Sequence, residues 1–235
     1  MSLEARIKIG FNKALKLLKM TDLVFAVNTV RGVTFKRSYS HEFMSEFQKN
    51  NYAKIYEIAR ENYDYDILLE NDSSLFQFSY IVMEERVKII RYAFYECPKI
   101  IICYEEFLKN EGFDIRECDD SGIDFYADYE QYKSEAVLKQ SVTPIRYDYD
   151  ESSYDSIKHP VSHIHIGLEN DLRIPVRRIM MPKDFVAFVL RHIYYSKWKE
   201  HVSDREFLNH YCKSDLRNVD ACFFDELQES DYYLV

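Results

Sequence analysis

Two histidines, His163 and His165, stand two residues apart in a segment rich in Val and Ile, and their spacing suits chemistry. Residues two apart in a β-strand project from the same face of a sheet, so both imidazoles would share one side while Ile164 faces the other. Such a pair can bind one transition-metal ion together with a carboxylate, which leaves a coordination position for water. Without a metal, one imidazole can remove a proton while the other protonates a leaving group, because the unperturbed pKa of histidine is about 6.5.

Two neighbouring segments can supply charged partners for these imidazoles. In R-Y-D-Y-D, the alternation places Arg146, Asp148 and Asp150 on one face of a strand, and Arg173 begins a further polar row. If the three strands are neighbours in one antiparallel sheet, their polar rows converge. The candidate catalytic residues are therefore His163, His165, Arg146, Asp148 and Arg173. The candidate ligands of a divalent metal ion, which would be the cofactor, are His163, His165 and Asp148.

This cluster admits more than one function. The first interpretation is a phosphodiester or phosphate-ester hydrolase, similar to a ribonuclease, in which Arg146 or Arg173 stabilises charge that develops on a phosphoryl oxygen. The alternative is a non-enzymatic binding module in which the cluster recognises a partner protein or an anionic ligand. In a third interpretation, Arg–Asp pairs only hold the sheet together. His159 is a further candidate member of the cluster, but it precedes Pro160, which restricts it to extended backbone, and a simple loop position is the alternative.

The elements that would position the cluster follow from hydrophobic periodicity. The predicted helices cover residues 3–19, 41–62, 104–110, 126–139, 182–198 and 204–212. The predicted strands cover residues 66–70, 75–83, 86–97, 143–150, 161–167 and 172–177. Together they predict an α+β fold with an antiparallel β-sheet of about five to seven strands and helices packed on one face. We expect residues 1–235 to form a single domain, in which residues 1–62 are a mainly helical N-terminal part and residues 64–212 hold the sheet and its covering helices.

Composition excludes several classes of protein. With 31 Lys and Arg against 40 Asp and Glu, the net charge is -9, which argues against a protein that coats duplex DNA. An RNA or a protein partner and a homo-oligomer stay open. Five cysteines, an odd number without paired-knuckle spacing, argue against a disulfide framework and for a cytoplasmic location. The sequence has no apolar run of the ~18 residues that a membrane span needs, and it lacks the common nucleotide-loop and zinc-protease motifs.

Several of these motifs resemble one bacterial family. The segments R-Y-D-Y-D (146–150), H-P-V-S-H-I-H-I-G (159–167) and R-I-P-V (173–176) are similar to the uncharacterised bacterial proteins grouped as domain of unknown function 2290, as are F-Q-F-S-Y (76–80) and R-Y-A-F-Y (91–95). The P-x-x-F start of the helix at Pro182 also fits this family. The resemblance spans about half to two thirds of the chain and implies no activity. More distantly, the R-Y-D-Y and H-x-H elements are similar to small bacterial toxin-type proteins suspected of acting on RNA, although their P-H-H arrangement is missing.

Overall fold

The computed structural model describes residues 2–28, 39–49, 51–116, 118, 124–156, 158–168, 171–212 and 217–223. In this part of the chain the α-helices are α1 (Leu3–Met20), α2 (His41–Phe47), α3 (Tyr52–Glu61), α4 (Tyr104–Asn110), α5 (Tyr126–Glu135), α6 (Pro182–His192), α7 (Tyr195–His201) and α8 (Arg205–Cys212). The strands are β1 (Phe25–Val27), β2 (Ile67–Leu69), β3 (Leu75–Met83), β4 (Arg86–Tyr95), β5 (Ile145–Asp150), β6 (Ser162–Ile166), β7 (Ile174–Pro175), β8 (Arg178–Ile179) and β9 (Arg217–Asn218). A 3₁₀ turn covers Ala221–Phe223.

Strands β1 to β7 form one antiparallel sheet in which each strand pairs with the next along the chain. The turn between β3 and β4 is made by Glu84 and Glu85, both of which have positive φ, the backbone geometry of the tightest hairpin turns. Strands β8 and β9 pair separately. The predicted α+β fold with five to seven antiparallel strands is confirmed.

One face of the sheet is apolar and forms the main core. Alternation along the strands assigns it these side chains, called the apolar face: Phe76, Phe78, Tyr80, Ile90, Tyr92, Phe94, Ile145, Tyr147, Tyr149 and Ile164. Helices α1 and α6 cover it, and the apolar residues that recur every three or four positions along α1 are buried. The two helices approach closely where Gly10 faces Pro182, since a Cβ on Gly10 would lie 3.0 Å from Pro182 Cδ. Phe185 of α6 is fully buried against Phe76 and Tyr92.

The opposite face, called the polar face, carries Gln77, Ser79, Arg91, Ala93, Arg146, Asp148, His163 and His165. Helices α2 and α3 pack against its end, where Phe43 and Ile55 join a second apolar cluster with Leu75 and Tyr95. The expectation that the helices cover one face therefore holds for α1 and α6, whereas α2 and α3 lie on the other face. The reason is that β3 and β4 carry apolar residues on both sides at this end of the sheet.

Several helices are shorter than the sequence analysis predicted. The segment 41–62 holds two helices, because the side chain of Asn51 caps α3 by accepting a hydrogen bond from the Lys54 N–H at 3.2 Å. The segment 182–198 is interrupted after Ile193, and α5 ends at Glu135. Among the described residues, no helix is both long and apolar enough to cross a membrane.

Candidate functional site

The polar face brings the predicted site residues of β5 and β6 into two adjacent rows. Arg146 lies directly opposite His165, and Asp148 lies directly opposite His163. On the next strand, Pro175 lies opposite His163. Because directly opposite residues in antiparallel strands share a face, the side chains of these pairs lie side by side. The three segments that the sequence analysis singled out are therefore consecutive neighbours in the sheet.

The donor atoms of three side chains converge at one point. His163 Nε2 lies 2.9 Å from His165 Nε2, and His165 Nε2 lies 3.3 Å from an oxygen of Asp148. One ligand atom from each residue falls within 4.8 Å of the other two. A tetrahedral zinc ion with bonds of about 2.0–2.1 Å holds its ligand atoms about 3.3 Å apart. The spacing is thus close to that of a coordination sphere; whether an ion binds stays a prediction.

The proton positions on His163 follow from its partners. Its Nδ1 lies 2.7 Å from the Pro160 carbonyl oxygen, which can only accept, so Nδ1 carries a hydrogen. In the neutral ring, Nε2 then presents a lone pair toward His165. A backbone carbonyl that holds Nδ1–H in this way is the usual outer partner of a metal-binding imidazole. Burial and the neighbouring His165 lower the pKa of His163 to about 4, so its Nε2 is unprotonated at neutral pH.

Asp148 stays ionised beside the two imidazoles. Burial acts to raise its pKa, but the hydrogen bond with His165 and the positive charge of Arg146 outweigh it, and the pKa is lowered below its ordinary value. The carboxylate side chain is 22% exposed, whereas His163 and His165 are almost fully buried. A carboxylate that is ionised and partly open to solvent can ligate a cation that enters from solution.

The two arginines of the predicted site occupy different positions. Arg146 stacks its guanidinium on the ring of Phe47, with Cζ 4.9 Å from the ring centroid. Its buried Nε has no hydrogen-bond partner among the described residues. Arg173 lines the same cleft but donates to the carbonyl of Asp171 at 3.3 Å. The Nε of Arg173 is likewise buried without a partner among the described residues, so both arginines reach the cleft, one from β5 and one from the residue before β7.

Asp150 shares the alternation of Asp148 but has a different role. Its carboxylate accepts hydrogen bonds from the backbone N–H of Ser152 at 2.9 Å and from the hydroxyls of Ser152 and Ser153 at 2.6 and 3.1 Å. Arg91 also lies 3.5 Å from it. These bonds tie Asp150 to the turn after β5, which leaves Asp148 as the carboxylate that faces the imidazoles.

His159, which the sequence analysis left open between the cluster and a loop, lines the same cleft. Asp155 and His159 form a short antiparallel bridge, with backbone hydrogen bonds of 2.8 and 3.1 Å, and this bridge turns the chain back toward β6. The ring of His159 packs edge-on against His163, with centroids 4.8 Å apart. Its buried Nδ1 has no partner in the described part of the chain. The H-P-x-x-H spacing was the only signal in the sequence, and it did not distinguish this bridge from an open loop.

A cleft of about 330 Å³ lies over the polar face. Its floor includes Arg146, Asp148, His163 and His165. One of its walls comes from the distant segment around α2: Tyr39, Phe43, Met44 and Phe47. Nothing in the local spacing of α2 indicated this position, because about a hundred residues separate α2 from β5 along the chain. The site is consequently a cleft with a charged floor and an aromatic wall.

Comparison with known proteins gives one match. The sequence profile of the family described as "Uncharacterized conserved protein (DUF2290)" matches residues 22–232, which include every residue of the cleft. Neither the curated proteins nor the solved structures contain a match to this chain. The motifs at β3, β4, β5, β6 and β7 that suggested this family lie within the matched range. The chain belongs to the family of uncharacterized conserved proteins DUF2290.

Proposed function

We propose that the chain is a metal-dependent hydrolase of phosphoesters, whose metal ion is held by His163, His165 and Asp148. The observation that carries the proposal is the convergence of His163 Nε2, His165 Nε2 and an Asp148 oxygen, with separations of 2.9 and 3.3 Å, in a cleft. Structural zinc sites use four protein ligands, whereas catalytic sites use three and keep a position for water. Three ligands in an accessible cleft fit the second class.

The chemistry needs little beyond these groups. A zinc ion held by these residues would lower the pKa of its bound water to about 7 and would so supply hydroxide near neutrality. Hydroxide attacks phosphorus, the P–O bond to the leaving alcohol breaks, and the proton that the water loses ends on the alcohol oxygen. Charge builds on the phosphoryl oxygens during this step, and a fixed guanidinium stabilises it. Arg146 is suited to this role because it lies opposite His165 and is held by Phe47.

The experiment compares metal content and turnover in purified protein without a histidine tag. The wild type, His163→Ala, His165→Ala and Asp148→Asn are loaded with Zn²⁺ or Mn²⁺, dialysed and assayed by mass spectrometry, then tested on bis(4-nitrophenyl) phosphate and 4-nitrophenyl phosphate. We expect about one metal ion per chain in the wild type, with the loss of metal and of at least about 100-fold in turnover in each variant. His192→Ala is the matched control, because His192 is exposed and does not line the cleft.

Each other outcome has a definite meaning. Metal bound by the three residues without turnover of any phosphoester would overturn the hydrolase and favour the binding module. Histidine-dependent turnover that persists in the presence of a chelator would contradict the role of a metal ion and favour acid–base catalysis by the imidazoles. Equal metal content in the wild type and the three variants would overturn the site itself.

A further inference from the structure

The wall formed by α2 distinguishes this cleft from a simple phosphate site. Met44 is 46% exposed, and Phe47 and Tyr39 are half-buried, so apolar and aromatic surface stays open beside the charged floor. Phe43 packs edge-on against Tyr95 and supports the wall from below. Inorganic phosphate or a small alkyl ester would leave this surface in contact with water. A ligand with a flat aromatic group would cover it.

The wall is held in place by a buried carboxylate. Asp64 is fully buried and accepts hydrogen bonds from the backbone N–H of Ser40 at 3.1 Å and from its hydroxyl. The Ser40 hydroxyl in turn caps α2 by accepting from the Phe43 N–H at 3.2 Å, and Asn62 donates to it at 3.0 Å. Short helices need such partners to keep their first turn. The aromatic side chains of α2 are thus presented to the cleft by a fixed helix.

These observations identify a class of ligand. We infer that the cleft takes a nucleotide, whose base packs against the aromatic wall formed around α2 while its phosphate lies between Arg146 and the three proposed metal ligands. The inference deepens the proposed function and rests on it for the position of the phosphate. Stacking on an aromatic side chain suits any base, because every base presents a flat face. Arg146 already stacks on Phe47, so its guanidinium lies between the wall that would contact the base and the residues that would contact the phosphate.

Size and charge favour a single unstacked nucleotide over a duplex. The volume of about 330 Å³ is at the lower end of the range of about 300–1,000 Å³ for small-molecule pockets. Bases in a duplex cover each other's faces and reach an aromatic wall only after they leave the stack. The net charge of -9 also opposes the approach of a long polyanion. The fitting ligand is a nucleoside monophosphate unit, either free or at an unpaired position of a strand.

The primary test is equilibrium binding to the zinc-loaded full chain. Titration calorimetry compares AMP with ribose 5-phosphate, which keeps the sugar and phosphate but lacks the base. We expect AMP to bind at least about fivefold more tightly, since base–aromatic stacking contributes at least about that factor. Phe47→Leu should bring the two affinities together, and Phe47→Tyr should keep the preference. Phe113→Leu is the matched control, because Phe113 is an exposed aromatic residue that does not line the cleft.

Further arms separate the sources of the ligand and the two proposals. If single-stranded r(A)₈ binds with the same affinity per site as AMP, the ligand is a free nucleotide. If it binds more tightly, the ligand is a nucleotide at an unpaired position of a strand. Equal binding of AMP and ribose 5-phosphate, or tighter binding of a duplex than of AMP, would overturn the inference. A preference for AMP over ribose 5-phosphate without turnover of the phosphoesters would contradict the proposed hydrolase and leave the nucleotide site standing. Metal-dependent turnover that is no faster for thymidine 5′-(4-nitrophenyl phosphate) than for methyl 4-nitrophenyl phosphate would contradict the nucleotide site and leave the proposed hydrolase standing.

Discussion

The two faces of the same sheet use neighbouring residues for opposite purposes. On the apolar face, Tyr147 and Ile164 are almost fully buried under α1 and α6, and the Tyr147 hydroxyl bonds to Ser162 Oγ at 2.9 Å. The adjacent residues, Asp148 after Tyr147 and His163 before Ile164, belong to the polar face and line a cleft. The β-strand period of two therefore separates the core from the candidate site.

The two faces also differ in where their unpaired buried polar atoms lie. The Tyr147 hydroxyl on the apolar face both contacts Ser162 and accepts from the Met180 N–H at 3.1 Å. On the polar face, His165 Nδ1 and Arg146 Nε are buried without partners among the described residues, and the two side chains lie directly opposite each other. On the apolar face, the Tyr92 hydroxyl is buried without a partner in the described part of the chain. Buried polar atoms are normally paired, and a bound ion or water is one explanation for an unpaired one. The comparison predicts that substitutions on one face change stability and those on the other change binding.

The largest effect is expected on the apolar face. Phe185→Ala removes a fully buried ring that contacts Phe78 and Tyr92, with centroids 6.3 and 5.8 Å away. We expect the free energy of unfolding to fall by about 3–5 kcal/mol, measured by urea denaturation. Phe113→Ala, at a position 43% exposed, should change it by less than about 1 kcal/mol. Equal effects at both positions would contradict the assignment of the core.

On the polar face, stability should depend on the metal ion. Zinc at about 100 times its dissociation constant should raise the free energy of unfolding of the wild type by about 2.7 kcal/mol, because the ion binds only the folded chain. His165→Ala should abolish this gain, as seen in thermal melts with and without zinc. His192→Ala should keep it. A zinc effect that survives in His165→Ala would place the ion elsewhere.

The metal-free protein should show a pH dependence that comes from the polar face. The pKa of His163 is about 4 in the folded chain and 6.5 without the fold, so between these values the unfolded chain binds a proton that the folded chain does not. The contribution of His163 to the free energy of unfolding is fully present above about pH 6.5. It is lost as the pH falls toward 4, by at most about 1.4 kcal/mol per pH unit.

The measurement for this pH dependence is urea denaturation at several pH values in the presence of a chelator. His163→Gln should flatten the dependence relative to the wild type, whereas the control His41→Gln, at an exposed position on α2, should leave it unchanged. A His163→Gln profile that matches the wild type would assign the dependence to other groups.

The smallest effect is expected for the surface ion pair of the polar face. Arg91 Nη2 lies 3.5 Å from Asp150, and the arginine side chain is 55% exposed, so water and salt screen the interaction. Arg91→Ala should lower the free energy of unfolding by less than about 1 kcal/mol. A loss above about 2 kcal/mol in urea denaturation would show that this face contributes to the core after all.

Much of the fold followed from local patterns. The bounds of β3 and of α4 agree with the predicted ones, and β5, β6 and β7 lie within theirs. These elements alternate with period two or follow helical spacing, so neighbouring residues alone encode them. The splits after α2 and after α6 were not predicted, because both flanking segments keep a helical pattern and only capping and packing interrupt them.

For the candidate site, the sequence by itself determined which side chains share a face: His163 with His165, and Arg146 with Asp148. This information is local, since the alternation of a strand depends on nothing outside it. The tertiary structure alone decided that His159 turns back toward His163 and that the serines after β5 engage Asp150. It also decided that α2, from the other end of the chain, walls the cleft. These placements depend on contacts between distant segments, and no local period encodes such contacts.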